Sequence, residues 1–102
     1  PVESYNPLKG IHGAVNRQDE NGFPPGGYYP QQKLSLYQGF CLFTKNIHIA
    51  TGQQDVLGTL EVGKFADFVI LDRDPFFIEP EKVQDIKVEA TYVGGEKVYS
   101  AR

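Results

Sequence analysis

The chain has 102 residues, of which 13 are acidic and 10 basic, giving a formal net charge of −3 at pH 7. That length suits one domain with a modest hydrophobic core, and the acidic balance gives no support to a nucleic-acid partner, because sequence-independent binding needs a basic surface. No apolar run approaches the roughly 20 residues of a membrane span, so no membrane partner is expected. The single cysteine, Cys41, rules out an internal disulfide and favours a cytoplasmic location.

The first third of the chain has the composition of a loop. Residues 1–33 hold most of the prolines and show no sustained apolar period, apart from a short helix predicted over residues 8–17. The chain also starts at Pro1 and contains no methionine. A natural gene product begins with methionine, and a loop of this length is uncommon in a self-sufficient domain, so we expect a piece of a longer chain. The apolar residues of the short helix are Leu8, Ile11 and Val15.

A helical segment is predicted over residues 34–52. Ser35 followed by Gln38 is a capping-box pattern that opens a helix, and Gly52 is in position to end it. Asn46 lies in a polar interruption and is able to cap a second helix, so one long helix and two short ones stay equally open. The apolar face consists of Leu36, Phe40, Phe43, Ile47 and Ala50.

After Gly52 the apolar period changes to two, which indicates strands. A strand over residues 66–71 is apolar on both faces, as is typical of a buried strand, and a strand over residues 86–92 is apolar on one face. Gly94-Gly95 predicts a hairpin turn into a return strand. With a short strand at residues 59–60, the segment is expected to be an all-β unit of about four strands. One helical turn is expected at residues 80–84.

One stretch imitates a phosphate-binding loop. Gly58, Gly63 and Lys64 reproduce the spacing of the P-loop, but Phe65 stands where that motif needs Ser or Thr. A P-loop also follows a buried strand and opens a helix, so that backbone N–H groups meet the phosphates. Here no strand pattern precedes Gly58, and the pattern that follows is that of a strand, with Phe65 as a strand residue. We therefore predict a turn at residues 61–64 between two strands.

The same stretch carries a family resemblance. Residues 58–72, GTLEVGKFADFVILD, are similar to a C-terminal signature of the amidohydrolase superfamily, G-[ST]-[LI]-x-x-G-K-x-A-D-[FL]-x-x-L-D. The stretches PVESYNPLKGIHGAVNRQ, YYPQQKLSL and EATYVGGEKVYS resemble the amidohydrolase-3 branch, which includes formamide deformylase-like enzymes and exoenzyme regulatory proteins. Several separate motifs in the same order make the resemblance specific.

The resemblance implies a mixed α and β fold. The parent enzyme would have a (β/α)8 barrel and a small composite β-sandwich built from both ends of the chain. Residues 1–33 would be the loop after the eighth barrel strand, residues 34–52 helices that pack on the barrel, and residues 53–102 the C-terminal part of the sandwich. The implied partner is the remainder of the parent chain, and strand edges left open would favour self-association.

The resemblance also implies a chemistry. Enzymes of the family use one or two divalent metals, usually zinc, to activate water for attack on a C–N bond, here of a small amide, formamide or cyclic amide. Their ligands are a His-x-His pair, a Lys or Glu, two further His and an Asp that ends the eighth strand. In this branch the Asp lies in S-D-x-P-V-E, and the present chain starts at that proline. We therefore expect no catalytic residue or metal ligand in it, and no activity of the chain by itself. The alternative is a self-contained β-rich interaction module that is not an enzyme.

Three residues are candidates for positions beside the substrate or behind the metal ligands. Glu3 and Asn6 follow the catalytic Asp of the parent closely, and Arg17 lies in AVNR, which resembles a recurring A-V-x-R of this branch. The alternative for Glu3 and Asn6 is a loop cap, and for Arg17 a brace of the loop.

The remaining polar candidates have ordinary interpretations. His12 is expected to be a loop histidine and His48 a structural or surface one, since neither has partners at a metal-ligand spacing. Cys41 is expected to be a buried, inert thiol, Asp67 to make a structural hydrogen bond, and Lys64 to lie in a solvated turn.

Overall fold

The computed structural model describes residues 6–101 and has a mixed fold of helices and a small antiparallel sheet, as predicted. Among these residues, none of the helices is both long and apolar enough to cross a membrane. The elements in chain order are α1 (Pro7–Asn16), a 3₁₀ helix (Pro30–Gln32), α2 (Leu36–Leu42), α3 (Lys45–Ala50), β1 (Phe68–Leu71), 3₁₀ helices at Pro75–Phe77 and Pro80–Asp85, β2 (Val88–Val93) and β3 (Glu96–Ser100).

The chain divides into two compact units. The helical unit consists of the described residues up to Phe40 together with Asp74–Ile86. The sheet unit consists of Cys41–Arg73 and the described residues from Lys87 onward.

The helical unit is built around α1 and the Pro80–Asp85 3₁₀ helix, which pack together. Helix α1 forms where the apolar spacing predicted a helix, because that spacing aligns its apolar side chains on one face. The Asn6 side chain caps its N-terminus by accepting the Leu8 N–H at 3.0 Å. The buried apolar side chains of this unit are Leu8, Ile11, Val15, Val83 and Ile86.

Two short helices form in the segment where one or two were expected. The predicted capping box is confirmed: Gln38 N donates to Ser35 Oγ at 3.1 Å and Gln38 Oε1 accepts the Ser35 N–H at 2.9 Å. Helix α3 begins at Lys45, so Asn46 lies inside it and the prediction that Asn46 caps it is wrong. Gly52 follows α3 with φ +77° and donates to the Ile49 carbonyl at 3.2 Å, as a residue that ends a helix does.

The sheet unit contains an antiparallel sheet in the order β1-β2-β3. Phe68 on β1 lies opposite Tyr92 on β2, and their rings stack with centroids 4.6 Å apart. The predicted hairpin between β2 and β3 is confirmed. Gly94 and Gly95 have φ of +59° and +82°, which fits a two-residue turn that only glycine or a few polar residues adopt readily.

Several strand predictions are wrong. The described residues form three strands rather than about four, and Thr59-Leu60 is not a strand, because Gly58 turns the chain at φ +106° and no ladder partner lies alongside. Strand β1 begins at Phe68, so Phe65 is not a strand residue. Strand β1 is also not buried on both faces: Val69 is 50% exposed and Ile70 is 44% exposed. A buried strand needs a covering layer on each face, and the described part of the sheet unit does not cover these two side chains.

Candidate functional site

Arg17 holds the long loop that follows α1. It ends the helix at φ +55°, and its Nε donates to the Tyr28 carbonyl at 2.9 Å while its Nη2 donates to Gln32 Oε1 at 3.3 Å. In return, the Tyr28 N–H donates to the Arg17 carbonyl at 2.7 Å, and the Leu34 N–H donates to the Ala14 carbonyl at 3.1 Å. The guanidinium thus donates hydrogen bonds to two separate residues of the loop, which is the geometry expected of a brace.

The loop between these anchors is closed by its own polar side chains. Asp19 Oδ1 accepts the backbone N–H of Asn21 at 2.8 Å and of Phe23 at 3.0 Å. Gln18 Nε2 donates to the Pro24 carbonyl at 3.0 Å. These three backbone groups of the loop therefore find side-chain partners without a regular ladder.

The other two site candidates fall on either side of the described boundary. Asn6 is the N-cap of α1, with its carboxamide oxygen on the Leu8 N–H. Glu3 lies outside the described residues. The structure therefore brings Asn6 and Arg17 to the two ends of the same helix, about ten residues apart, and does not bring them to one point.

His12 is not the loop histidine that was predicted. It lies in α1 and is 4% exposed, with Nε2 at 3.0 Å from the Asp19 carbonyl oxygen and Nδ1 at 3.0 Å from Asn16 Nδ2. Asn16, 5% exposed, also donates from Nδ2 to the Pro80 carbonyl at 3.0 Å. The signal in the sequence is the spacing of four residues, which places both side chains on one stripe of the helix beside the apolar face. Their partner Pro80 is 64 residues further along the chain, where no local pattern points to it.

His48 borders a groove of about 480 Å³ within the sheet unit. The residue is half-buried, and its Nδ1 is buried with no hydrogen-bond partner among the described residues. Gly58 passes close to it: a Cβ built on Gly58 would lie 3.3 Å from the imidazole. The groove is lined mainly by apolar and aromatic side chains, together with Thr44, Thr59, Asp67 and Thr91.

The remaining candidates have structural surroundings. Asp67 Oδ1 accepts the Gly94 N–H at 2.8 Å, which confirms the predicted structural hydrogen bond. Lys64 is not solvated as predicted: its side chain is 15% exposed, because Nζ donates to Thr59 Oγ1 at 2.9 Å and lies 3.6 Å from a Glu61 carboxylate oxygen. Cys41 is only half-buried, which corrects the prediction of a buried thiol.

The predicted turn at residues 61–64 is confirmed, since the Lys64 N–H donates to the Glu61 carbonyl at 3.1 Å. No helix opens after it: the residues that follow lead into β1. The backbone N–H groups of this stretch therefore do not converge on a helix N-terminus, which is the geometry that a phosphate needs.

Among the described residues, Asp72 has a pKa that its neighbours shift. Its Oδ1 accepts the Lys87 N–H at 3.0 Å, and Arg73 Nε lies 3.3 Å from the same oxygen. The hydrogen bond from Lys87, with a further contribution from Arg73, lowers the pKa of Asp72 below its ordinary value of 3.8. Asp72 is a strand-end carboxylate at the close of the family signature, and its partners make it a structural group.

No metal-ligand set forms within residues 6–101, where no three His, Cys, Asp or Glu side chains come together around one point. The residues described here therefore do not fit the divalent metals that the family resemblance implies. No step that involves a metal is assigned to them.

The Amidohydrolase family matches residues 1–99 of the chain, so the chain belongs to the amidohydrolase family and the resemblance seen in the sequence is confirmed. It is 29% identical over 99 residues to YtcJ of Bacillus subtilis (strain 168), whose name carries the word amidohydrolase. It is 30% identical over 95 residues to N-substituted formamide deformylase of Arthrobacter pascens, and 35% identical over 102 residues to the protein LONG AFTER FAR-RED 3 of Arabidopsis thaliana.

These matches cover nearly all of this chain and little of the relatives. They span 97%, 93% and 97% of the chain but only 19%, 17% and 16% of the three relatives in the same order. The chain thus spans less than a fifth of the length of the curated relatives that it matches. No solved structure gives a significant match.

Proposed function

We propose that the chain is part of a longer metal-dependent amidohydrolase, in which it supplies scaffold and loop structure and none of the reacting groups. The observation that carries this proposal is the family match over residues 1–99 by a chain that spans 16–19% of its relatives. Family membership supports hydrolase chemistry. One relative is named for the deformylation of N-substituted formamides, which favours C–N bonds of small amides as the substrate class.

The reaction proposed for the longer enzyme is hydrolysis of a formamide, a simple amide or a cyclic amide. Water adds to the carbonyl carbon, the C–N bond breaks, and the leaving nitrogen takes a proton. One or two divalent metal ions, with zinc as the first choice, would supply the activation of that water when bound. The ligands would come from residues outside those described here.

The part that this chain plays is to hold structure near the end of the enzyme. In this proposal residues 1–33 are the loop after the eighth barrel strand, residues 34–52 pack on the barrel, and residues 53–102 complete the sandwich. The two hydrogen bonds of Arg17 to Tyr28 and Gln32 support the brace rather than the substrate contact. The hydrogen bond by which Asn6 caps α1 supports a capping role for Asn6 rather than a place beside the substrate or behind the metal ligands.

The proposed partner is the remainder of the longer chain. Exposed apolar side chains on the sheet support a covering layer on each face, because a strand that is apolar on both faces needs such layers to be buried. Among them are Val69, Ile70, Val93 and Val98. With that layer absent, the same strands would favour self-association of the 102-residue chain. A cytoplasmic location rests on the single Cys41 and stays a prediction.

The rival proposal is a self-contained interaction module without activity, and the gene sequence on the 5′ side separates the two. An H-x-H strand near the start of a long reading frame, with Ser-Asp shortly before Pro1, supports the enzyme. A start codon close to Pro1 supports the module and contradicts the proposal.

The activity test uses the longest reading frame that contains residues 1–102. The purified product is assayed for hydrolysis of formamide, N-substituted formamides and cyclic amides, with bound metal measured in the same preparation. Turnover that is lost on chelation and restored by zinc supports the proposal. A metal-free product that hydrolyses none of these substrates contradicts it.

A further inference from the structure

The buried pair His12 and Asn16 joins two distant parts of the helical unit. His12 contacts the Asp19 carbonyl, and Asn16 contacts both His12 and the Pro80 carbonyl, each at 3.0 Å. Both side chains are at least nine-tenths buried. The pair therefore ties α1 to the loop that follows it and to the start of the Pro80–Asp85 3₁₀ helix.

The partners of this pair leave one protonation state that satisfies every contact. A carbonyl oxygen only accepts, so the nitrogen of Asn16, not its oxygen, must face Pro80. The same Asn16 nitrogen then donates its second hydrogen to His12 Nδ1, which must carry a lone pair. His12 Nε2 faces the Asp19 carbonyl and must carry the hydrogen. The network is complete only for a neutral imidazole in its Nε2–H form.

We propose that His12 is a pH-sensitive clasp, which holds the Pro80–Asp85 segment on α1 while the imidazole is neutral and releases it on protonation. Protonation places a hydrogen on Nδ1, directly against the amide hydrogen that Asn16 donates to it. Rotation of that amide presents its oxygen to His12 but also to the Pro80 carbonyl, so that carbonyl then loses the donor that links it to α1. Each arrangement of the charged state costs one hydrogen bond of the network, either the buried one between His12 and Asn16 or the part-buried one to Pro80.

The charged groups around His12 are already engaged with other partners. Lys9, Asp19 and Glu20 line the same cavity as His12. Lys9 and Glu20 face each other at 3.8 Å, and Asp19 Oδ1 holds two backbone N–H groups of its own loop. From the Pro80–Asp85 segment the cavity is lined by Gln84, which is neutral and donates to the Glu20 carbonyl at 3.0 Å. When His12 is protonated, no nearby carboxylate among the described residues is therefore available to compensate for the hydrogen bond that is lost.

The test is an NMR titration of the ¹⁵N-labelled 102-residue chain between about pH 8 and about pH 5, the range in which imidazoles change charge. The ring ¹⁵N shifts report the tautomer of His12. The amide hydrogen exchange of Lys82 and Ile86, whose N–H groups donate to Glu79 and Val83, reports the attachment of the segment. Amides of β2 serve as the internal reference.

We expect the Nε2–H form at the upper pH. As His12 protonates, protection of the Lys82 and Ile86 amides, corrected for intrinsic exchange, should fall between about fivefold and a hundredfold, while protection in β2 stays constant. His12→Asn keeps an acceptor near the position of Nδ1 and does not titrate, so the fall should disappear. His48→Asn removes the other histidine and should leave the fall unchanged.

Three results would overturn the clasp. The first is an Nδ1–H tautomer at the upper pH. The second is protonation of His12 with no loss of protection at Lys82 and Ile86. The third is a loss of the pH response in His48→Asn. The first two are read on the unmodified chain, so they decide the question even where His12→Asn fails to fold.

Discussion

Gly27→Ala tests how tightly the loop after α1 is packed against that helix. Gly27 has φ +93°, and a Cβ built on it would lie 2.6 Å from the Asn16 carbonyl oxygen, 3.0 Å from Lys33 Cε and 3.2 Å from Arg17 Cβ. The contact at 2.6 Å is with backbone at the end of α1, next to the hydrogen bond from Tyr28 to the Arg17 carbonyl. A methyl group therefore has to push the loop away from the helix.

The cost has two parts. A side chain in the left-handed region costs about 1–2 kcal/mol, and forcing a methyl group into a packed site costs about 1–3 kcal/mol. We expect Gly27→Ala to lower the free energy of unfolding by about 2–5 kcal/mol, which corresponds to at least roughly 10 °C in Tm for a domain of this size.

Two glycines of the same unit provide matched controls. Gly22 also has a positive φ, +81°, but a Cβ on it would meet nothing within 4 Å, so Gly22→Ala should cost only the backbone part, about 1–2 kcal/mol. Gly13 lies within α1 with open space around it, and Gly13→Ala should stabilise by about 0.5–1 kcal/mol.

The assay is urea unfolding followed by far-UV circular dichroism and by the fluorescence of the tyrosines. Gly27→Ala should unfold at the lowest urea concentration of the three variants. Gly22→Ala should unfold at a concentration between that of Gly27→Ala and that of the unmodified 102-residue chain. Equal stability of Gly27→Ala and Gly22→Ala would refute the packing argument, because the backbone strain would then account for the whole effect.

Two further predictions concern single polar groups. Arg17→Ala should lower the free energy of unfolding by about 1 kcal/mol, and Arg17→Lys should recover little of it, because an ammonium does not reproduce the two contacts of the guanidinium to Tyr28 and Gln32; full recovery in Arg17→Lys, measured by urea unfolding, would count against the brace. The pKa of Asp72 is lowered on folding by the Lys87 N–H, so its stabilisation is present above about pH 4 and is lost as the pH falls through the lowered folded-state value. Asp72→Asn should lose stability at neutral pH and flatten the acid side of the stability profile; a profile that keeps its slope below pH 4 would contradict this assignment.

The elements that the sequence predicted correctly are those fixed by near neighbours. Helix α1 follows from an apolar stripe repeated every three to four residues. The cap at Ser35 and Gln38 is a reciprocal pair within one turn. The Gly94-Gly95 hairpin depends on two adjacent glycines with positive φ. Each is decided within a few residues, so the local pattern contains the necessary information.

The elements that it missed depend on partners far along the chain or on covering layers. The apolar pattern around Val69 and Ile70 predicts side chains that need a packing layer over them. It does not show whether such a layer is present, and both side chains are exposed in the structure. The prediction of a strand at Thr59-Leu60 was wrong because a strand forms only where a neighbouring strand hydrogen-bonds to it, and none of the described strands lies beside these residues. The burial of His12 is decided by packing of α1 on a segment that begins at Pro80.

The candidate site shows the same division. From the sequence, Arg17 and Asn6 had two alternative roles, a place near the substrate and a structural role in the loop. In the structure each of the two residues hydrogen-bonds to other described residues. The bonds of Arg17 that support bracing are made to loop atoms whose positions the sequence pattern does not give. The structural hydrogen bond of Asp67 was predicted from its place after a turn in the family signature, but its partner Gly94, 27 residues further along the chain, was not.

The most direct test of the proposed function compares the amide hydrolysis and metal content of the 102-residue chain with those of the product of the longest reading frame that contains it. Both are measured in one assay with N-substituted formamides and added zinc. We expect turnover and bound metal for the product of the longest reading frame, and neither for the 102-residue chain. Stoichiometric zinc on the 102-residue chain together with measurable hydrolysis would contradict this expectation.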